Sequence, residues 1–443
     1  MERMTKVSVL GLVLILFSSS AQAFYSVKEG VFVYDPSKTQ LPVFMAQHDL
    51  TIDHVTQRGY EVYGPEGTKL WLKKLNLLYW ENSSRAIRDG DYPTFQDLQA
   101  KLLELHSTYP LTTRLFSIGK TVTGKDLWVM KIARDAARDH MLPVVKLISS
   151  MHGDEITGRE MMVMLIEQLL STDGKDARIT ALVDNTEIYI LPSMNPDGTE
   201  AHTRGNGNSA DLNRDFPDFM TADNQDKPDG RQPETQAVMK FQATRQFALS
   251  ANFHGGAEVV NYMWDGQPAL HPFDSLLQQI SLGYASQVPY LRDSTEFPHG
   301  ITNGFAWYLV NGGMQDWSYH WYNDTQFTIE LSGVKWPDFS EMQNYYSLNL
   351  PALLGFLETV HQGAGFYFGQ PGLSGHVEIF AKEGTSPDKT LGAFGFWGSE
   401  FYKVLEPGSY RMDVTLSDGR TQSFQTTVKA KFIYPNGNYT QLK

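Results

Sequence analysis

Cysteine is absent from all 443 positions of the sequence. Its absence excludes a disulfide scaffold, a thiolate metal site, an iron–sulfur centre and a cysteine nucleophile. Basic residues are also in the minority, with 37 Lys and Arg against 50 Asp and Glu and a formal net charge of −13. Because an acidic chain repels phosphate, we expect no nucleic-acid partner. The sequence also lacks a Gly-x-Ser-x-Gly motif, which argues against a serine hydrolase with a nucleophile elbow.

No long apolar run occurs after the first 23 residues, and those 23 have the pattern of an export signal. Arg3 and Lys6 precede an apolar run over residues 7–17, and Ala21-Gln22-Ala23 fits a signal-peptidase site. The run is shorter than the roughly 20 residues that span a bilayer. We therefore predict a signal peptide over 1–23 and a secreted or periplasmic protein with no stable membrane insertion after cleavage. An uncleaved membrane anchor is the alternative.

The length suggests about three folded units. Residues 24–91 show no long helical period and no recognisable chemistry, and we interpret them as an N-terminal extension that is propeptide-like or serves packing. Residues 92–362 show regular patterns of strands and helices. Residues 366–443 consist of short alternating segments separated by Gly, Pro, Asp and Ser, which predicts a small antiparallel β-sandwich.

Apolar runs and helical patterns alternate within 92–362. Strands are predicted at 127–132, 143–148, 187–191 and 248–253, and a helix at about 158–170. This alternation predicts an α/β fold with a mixed, mostly parallel central sheet flanked by helices. Such sheets bind ligands at the carboxyl ends of their strands. His152, Asn195 and His254 all follow predicted strands and are therefore placed at that edge.

Three of the residues at this edge have the chemistry of metal ligands. His152 and Glu155 are three positions apart on a strand-to-helix turn, and His254 lies beside Gly255 and Gly256 at the end of another strand. Two His and one Glu, with the fourth position open to water, are typical of catalytic zinc. Taken singly, neither feature proves a metal site. His-x-x-Glu is also compatible with a solvated loop, and His254 is also compatible with a structural, hydrogen-bonded histidine.

Three further charged residues lie in loops or in an apolar strand, where a charge suggests a role in binding or catalysis. Arg214 follows Asn213 in a loop, where a guanidinium can clamp a carboxylate with an amide beside it. Arg204 lies in a Gly/Asn-rich loop, where it could face a developing oxyanion. Glu330 is the single acid in the β-type run 327–331, and such a residue is costly to bury unless it is paired or functional.

Together these residues resemble the zinc metallocarboxypeptidases, in particular the carboxypeptidase N/E (regulatory) branch. Six separated motifs over about 92–362 occur in the order of that family: His152-Gly153-Asp154-Glu155, Met194-Asn195-Pro196-Asp197-Gly198, 211–217, Phe253-His254-Gly255-Gly256, 307–316 and Glu330-Leu331-Ser332. The resemblance implies the zinc carboxypeptidase fold. It also implies that the β-sandwich of 366–443 is a transthyretin-like domain.

The resemblance further implies one Zn²⁺ per chain, held by His152, Glu155 and His254. It implies an enzyme that hydrolyses the C-terminal bond of a peptide or protein with a water that zinc and Glu330 activate. Arg204 would polarise the scissile carbonyl, and Glu330 would serve as general base and then general acid.

By the same resemblance, Asn213, Arg214 and Tyr308 would hold the free carboxylate of the substrate. Asp265, eleven residues after His254, and Gln315 match specificity-pocket positions of the branch. An anion at the pocket floor would favour C-terminal Lys or Arg. The alternative for Asp265 is a surface turn residue in Trp264-Asp265-Gly266.

Two other functions are compatible with the sequence. A peptidoglycan-stem carboxypeptidase would use the same chemistry on diaminopimelate-type termini, whose side chain also carries an ammonium group. A non-catalytic zinc-binding adhesion module is the other possibility, although inactive relatives usually lose a ligand or the base and all are present here.

Overall fold

The structure, a computed structural model, describes residues 26–47, 49–81, 92–382, 388–430 and 432–443. The predicted signal peptide lies outside the described residues, and so does the stretch 82–91 of the predicted extension. Within the described ranges, no helix combines the length and the apolar character that crossing a membrane requires.

Residues 26–81, the N-terminal unit, form a small α/β unit with a core of its own. Its elements are β1 (Glu29–Tyr34), α1 (Leu41–Met45), β2 (Thr51–Asp53), β3 (Gly59–Gly64), α2 (Thr68–Lys74) and β4 (Tyr79–Glu81). The strands pair antiparallel in the order β2-β3-β1-β4. Val31 and Val33 share one face of β1 and belong to a buried cluster with Phe44, Tyr60 and Leu72. The two helices have five and seven residues, too few for a helical period to be recognised in the sequence.

The central region, residues 92–362, alternates strands and helices as predicted. Its elements are α3 (Phe95–Thr108), β5 (Thr113–Lys120), β6 (Asp126–Ile132), β7 (Val144–Ser149), α4 (Thr157–Thr172), α5 (Ala177–Asn185), β8 (Glu187–Leu191), α6 (Pro196–Ala201), α7 (Pro233–Gln242), β9 (Leu249–His254), β10 (Glu258–Tyr262), α8 (Asp274–Ala285), α9 (Pro289–Arg292), β11 (Ile301–Asn303), α10 (Gly304–Trp307), α11 (Met314–Tyr322), β12 (Thr325–Leu331) and α12 (Met342–Thr359). The four predicted strands and the predicted helix are all present, with bounds that differ by at most two residues.

Eight strands of the central region form one mixed sheet in the order β11-β10-β12-β9-β7-β8-β6-β5. The pairs β10–β11, β12–β9, β9–β7 and β7–β8 are parallel, and the other three are antiparallel. Both faces are covered, because Val145 and Leu147 of β7 pack into one buried cluster while Val144 and Ile148 pack into another. The predicted α/β fold with a mixed, mostly parallel sheet is confirmed.

The sheet brings three chemically important residues to one edge. Because β7, β9 and β12 are neighbours and parallel, their carboxyl ends meet. His152 follows β7 by three residues, and His254 is the last residue of β9. Glu330 on β12 pairs in register with His254.

The chain from Gly363 to Leu442 forms two further all-β sheets. Their strands are β13 (Gly363–Phe368), β14 (Gly375–Ala381), β15 (Lys389–Phe396), β16 (Glu400–Val404), β17 (Gly408–Leu416), β18 (Thr421–Val428) and β19 (Tyr439–Leu442). The sheet orders are β16-β13-β19 and β15-β14-β17-β18. We expected antiparallel pairing throughout, and the pair β13–β19 departs from it by being parallel. These strands share one buried cluster with the central region.

Candidate active site

Two histidines and one glutamate converge where β7 and β9 end. Nδ1 of His152 lies 3.1 Å from Nδ1 of His254. The carboxylate of Glu155 spans both, with Oε1 3.0 Å from Nδ1 of His152 and Oε2 2.9 Å from Nδ1 of His254. All three side chains are buried. The structure thus brings together the three residues that the sequence analysis proposed as ligands.

The outer nitrogens of both imidazoles already have neighbours. Nε2 of His152 is 3.1 Å from Oδ1 of Asp211, and Nε2 of His254 is 2.7 Å from the side-chain amide of Asn252. The oxygen of that amide has no hydrogen-bond partner among the described residues, and with the amide turned over it would accept an Nε2 proton. With protons on both Nε2 atoms, both Nδ1 lone pairs face the centre of the cluster.

The ionisation of Glu155 completes the donor set. Burial by itself would raise the pKa of Glu155, but His152 and His254 hold that pKa well below its ordinary value, so the carboxylate is charged. Once a metal ion takes the place of the protons on the Nδ1 atoms, two imidazoles and this carboxylate, whose donor atoms lie within 4.8 Å of one another, suit zinc with an open fourth position. The residues therefore fit the metal.

Arg204 lies beside this cluster and is tied to it through Asp211. Nε of Arg204 donates to Oδ2 of Asp211 at 2.9 Å, and Asp211 also holds His152. Nη1 of Arg204 lies 3.7 Å from Oε1 of Glu155. Nη2 is buried and has no hydrogen-bond partner within the described part of the chain. A donor is thus available next to the metal-binding cluster.

Glu330 enters the cleft from β12. Glu330 is 4% exposed, and its Oε2 has no hydrogen-bond partner among the residues that the structure describes. Nε2 of His54 lies 3.7 Å from that oxygen. A buried carboxylate oxygen without a hydrogen bond is costly, so an acid retained here is a candidate for proton transfer.

The residues predicted to hold a carboxylate lie on a short turn and directly after α10. Asn213 and Arg214 belong to a 3₁₀ turn that begins after Asp211, whose side chain accepts the backbone N–H of Asn213 at 2.9 Å. Oδ1 of Asn213 accepts the N–H of Met314 at 3.0 Å, which anchors the start of α11. Tyr308 directly follows α10. The guanidinium of Arg214 and the hydroxyl of Tyr308 both bind the same neighbouring segment, 51–56.

Asp265 lies in a buried polar recess, so the alternative of a surface turn residue is wrong. It is 5% exposed, and its Oδ1 accepts from Nδ2 of Asn261 at 3.0 Å and from Nε2 of Gln315 at 3.1 Å. Burial raises the pKa of Asp265 to about 6. Gly304 lines the recess, where an added Cβ would lie 1.7 Å from Oδ1 of Asp265, so only glycine leaves room for this carboxylate.

Asp53 and His54 reach the same cleft and were missed by the sequence analysis, which found no chemistry in 24–91. Oδ1 of Asp53 accepts from the Tyr308 hydroxyl at 2.7 Å, and Oδ2 pairs with Arg204. His54 is 4% exposed and faces Glu330. A signal was present, because both ionisable residues follow directly on the β-type residues Thr51-Ile52. The same pattern had singled out Glu330.

Comparison with known proteins agrees with this geometry. Residues 98–352, more than half of the chain, match the zinc carboxypeptidase family. The chain is similar to carboxypeptidase M of Mus musculus, with 36% identity over 377 residues that cover 78% of this chain and 83% of that protein. The carboxypeptidase N catalytic chain of Mus musculus is 33% identical over 71% of this chain and 78% of its own length. These similarities confirm the predicted regulatory branch.

Two further comparisons, with a much longer protein and with a solved structure, cover very different fractions of the matched proteins. Carboxypeptidase D of Homo sapiens is 36% identical over 78% of this chain, and the chain spans only 26% of that protein. The crystal structure of carboxypeptidase A from Helicoverpa armigera superposes with a TM-score of 0.58 at 19% identity, over 75% of this chain and 97% of that one, which supports the fold. The matched domain and these relatives lead to one conclusion: the chain belongs to the zinc carboxypeptidase family, and zinc is its metal.

Proposed function

We propose that the protein is a metallocarboxypeptidase that removes the last residue of peptides or proteins, with preference for Lys or Arg. The observation that supports the proposal is that His152, Glu155 and His254 converge on one point, beside the buried carboxylate of Glu330 on the neighbouring strand. His152, Glu155 and His254 would hold the zinc ion. When bound, zinc acts as a Lewis acid and lowers the pKa of a coordinated water to about 7.

Glu330 and Arg204 would carry the chemistry that the chain itself supplies. Glu330 accepts a proton from the attacking water and returns it to the leaving amine, for which its Oε2 has no competing hydrogen bond among the described residues. Nη2 of Arg204, which has no hydrogen-bond partner in the described part of the chain, stabilises the oxyanion that develops on the scissile carbonyl. Asp211 positions both Arg204 and His152 and so couples the oxyanion donor to the metal ligands.

Cleavage only at chain ends would follow from the groups that bind the terminal carboxylate of the substrate. Arg214 and Tyr308, with Asn213 beside them, would bind the terminal carboxylate, which an internal segment does not possess. The half-buried guanidinium of Arg214 gains a charged partner only from a chain end, so internal segments bind poorly.

Asp265 would select the side chain of the residue that is released. A buried carboxylate in a polar recess pairs with an ammonium or guanidinium group and repels an acidic side chain. Gln315 holds Oδ1 of Asp265 in place. The ammonium of a diaminopimelate-type residue suits the same recess, so the experiment must include it.

For the rest of the chain, we propose that residues 1–23 are a signal peptide and that the mature protein is secreted or periplasmic. We propose residues 92–362 as the catalytic domain and residues 366–443 as a transthyretin-like domain. Two all-β sheets in that last region support the second assignment.

Digestion of a mixed peptide library with mass-spectrometric readout tests the activity. We expect loss of single C-terminal Lys or Arg residues and no cleavage of the same peptides with amidated C-termini. A muropeptide ending in diaminopimelate is digested in parallel. Faster release from the muropeptide would replace the proposed substrate, and equal cleavage of amidated peptides would contradict the carboxylate-binding role of Arg214.

A further inference from the structure

Helix α11 contacts the recess of Asp265 at its start and the C-terminal β-strands at its end. In its first turn, Gln315 donates to Oδ1 of Asp265 at 3.1 Å, and the carboxylate of Asp316 accepts the backbone N–H of Asp265 at 3.0 Å. Directly after its last residue, Asn323 donates from Nδ2 to the carbonyl of Gly395 at 3.0 Å. The helix has nine residues, and so short a rigid element transmits a displacement from one end to the other.

Tyr319 of α11 adds a second link to the recess, through its aromatic ring. The ring packs against Trp264, the residue before Asp265, with 5.5 Å between the ring centroids and 82° between the ring planes. The imidazole of His271 contacts both rings, with centroid distances of 4.3 Å to Tyr319 and 4.9 Å to Trp264. Edge-to-face pairs of buried rings have a defined geometry. The position of Trp264, and with it the backbone of Asp265, therefore depends on where the ring of Tyr319 lies.

Lys403 of β16 reaches Tyr319 from the C-terminal region. It is 1% exposed. Its Nζ lies 4.4 Å from the ring centroid of Tyr319, 4.6 Å from that of Phe394 and 5.0 Å from that of Phe273. Nζ has no hydrogen-bond partner among the described residues, and burial lowers the pKa of Lys403 to about 7. At pH 8 the amine is therefore mostly neutral, and the long side chain acts by filling the space that the three rings border.

We propose that Lys403 is a positioning residue for the recess: it holds the ring of Tyr319 against Trp264 and so fixes the carboxylate of Asp265. The inference rests on the proposed function for the identity of the group that Asp265 binds. It gives the C-terminal β-strands a part in substrate selection, through their contacts with α11 rather than with the substrate. A lysine that served stability alone would affect peptides with basic and with apolar ends alike.

The first test is Lys403→Ala at pH 8, where Asp265 is charged. The truncation leaves a void beside Tyr319 into which its ring can move. We expect the ratio of kcat/KM for Lys over Leu termini to fall about threefold or more, through a higher KM for the Lys peptide and with kcat unchanged for both.

Two variants serve as controls for this measurement. Lys403→Met fills the same space without the amine, and Lys389→Ala removes a lysine from an exposed position of β15. Both should keep the wild-type ratio. An unchanged ratio in Lys403→Ala, an equal loss for the Lys and Leu peptides, or a loss in Lys403→Met as large as in Lys403→Ala would overturn the inference.

A double variant tests whether Lys403 acts through the recess. In a protein that already carries Asp265→Asn, the carboxylate to be positioned is gone. Adding Lys403→Ala should therefore leave the ratio of that protein unchanged, whereas two independent effects would add. A further fall as large as the one that Lys403→Ala causes in the wild type would contradict the positioning role.

A last test does not depend on peptide hydrolysis. The nine tryptophans are labelled with 5-fluorotryptophan, and the ¹⁹F resonance of Trp264 is identified by its absence from Trp264→Phe. We expect this resonance to shift in Lys403→Ala and to keep its wild-type position in Lys403→Met and Lys389→Ala. An unshifted resonance in Lys403→Ala would refute the inference. If no form cleaves any peptide but the resonance moves as expected, the proposed function fails and the coupling of Lys403 to the recess stands.

Discussion

Glu330 is an ionisable side chain in a buried position. It is a carboxylate on a central strand, and its Oε2 has no hydrogen-bond partner among the described residues. His152, Glu155 and Asp211, by contrast, are all engaged by one another or by Arg204. The contrast supports the proposed role of Glu330 in proton transfer.

Replacing Glu330 by Gln should remove turnover and spare the metal. The amide keeps the shape of the side chain but cannot accept a proton, so we expect kcat to fall about 10²- to 10⁴-fold. Zinc content, measured by atomic absorption, should remain at one per chain. Glu341→Gln, at an exposed position, is the control. Near-normal kcat in Glu330→Gln would remove this residue from the mechanism.

Asp265 should set the preference for basic residues in a pH-dependent way. Burial raises its pKa to about 6, so its charge, and with it the attraction for Lys, increases as the pH rises through about 6. The ratio of kcat/KM for Lys over Leu termini should therefore rise between pH 5 and pH 7.5. Asp265→Asn should lower the ratio at pH 7.5 about tenfold or more and make it independent of pH.

The ratio of two substrates cancels pH effects on the metal and on Glu330, since both act equally on Lys and Leu peptides. Asp229→Asn, in an exposed loop, is the control and should keep the wild-type profile. A ratio that is unchanged in Asp265→Asn would place the determinant of specificity elsewhere.

At the scale of elements, the parallel neighbours β7, β9 and β12 build the site. Their shared direction places the ends of three strands side by side, although the residues are far apart in sequence. The loops that follow are short and buried, as at Ser150 and His152. The positions of the candidate ligands are therefore set by the sheet, which suits a metal site that requires defined distances.

The junction of α12 and β13 contains a histidine that should make the fold sensitive to acid. His361 is 0% exposed, with Nε2 2.9 Å from the hydroxyl of Thr186. Burial lowers its pKa to about 4 from an ordinary 6.5. Between these values the unfolded chain binds a proton that the folded chain does not, so stability falls as the pH drops from 6.5 toward 4.

His361→Gln should therefore reduce this acid sensitivity. We expect the wild type to lose about 2 kcal/mol more stability than His361→Gln between pH 7.5 and pH 5. Urea denaturation at the two pH values measures the difference. His376→Gln, at an exposed position of β14, should behave as wild type. If His361→Gln and His376→Gln lost the same stability between the two pH values, protonation of His361 would not be a cause of the acid sensitivity.

At the scale of the whole molecule, a metal ion held by the candidate ligands would add a cross-link between β7 and β9, which already pair through backbone hydrogen bonds. His152 follows β7 and His254 ends β9, so a bound zinc ion cross-links the sheet edge. A ligand that binds only the folded state stabilises it by about 4 kcal/mol when its concentration is 1,000 times its Kd.

Removal of zinc should consequently lower the unfolding temperature by several degrees and abolish activity. Differential scanning calorimetry of chelated and reloaded protein measures the shift. Zinc should restore both properties, and magnesium, which prefers oxygen ligands, should restore neither. An unfolding temperature that is the same with and without zinc would mean that the cluster does not hold the metal in the folded state.

The N-terminal unit shows where inference from sequence stopped. Its short helices and strands carry no long period, and its decisive contacts join residues 151 and 255 positions apart, Asp53 with Arg204 and with Tyr308. A contact at such separation leaves no local pattern. The ionisable residues Asp53 and His54 were visible, but their partners were not.

The order of residue types along the chain was enough to predict the alternating α/β region, its strand ends and the set of candidate ligands. Hydrophobic periodicity and residue chemistry are local properties, and parallel strands must present their carboxyl ends at one edge. Tertiary structure alone decided that Asp265 is buried in a recess, that Oε2 of Glu330 has no hydrogen bond to any described residue and that Asp53 contacts Arg204 and Tyr308. Each of these depends on which distant elements pack together, because burial and charge pairing are properties of the assembled fold.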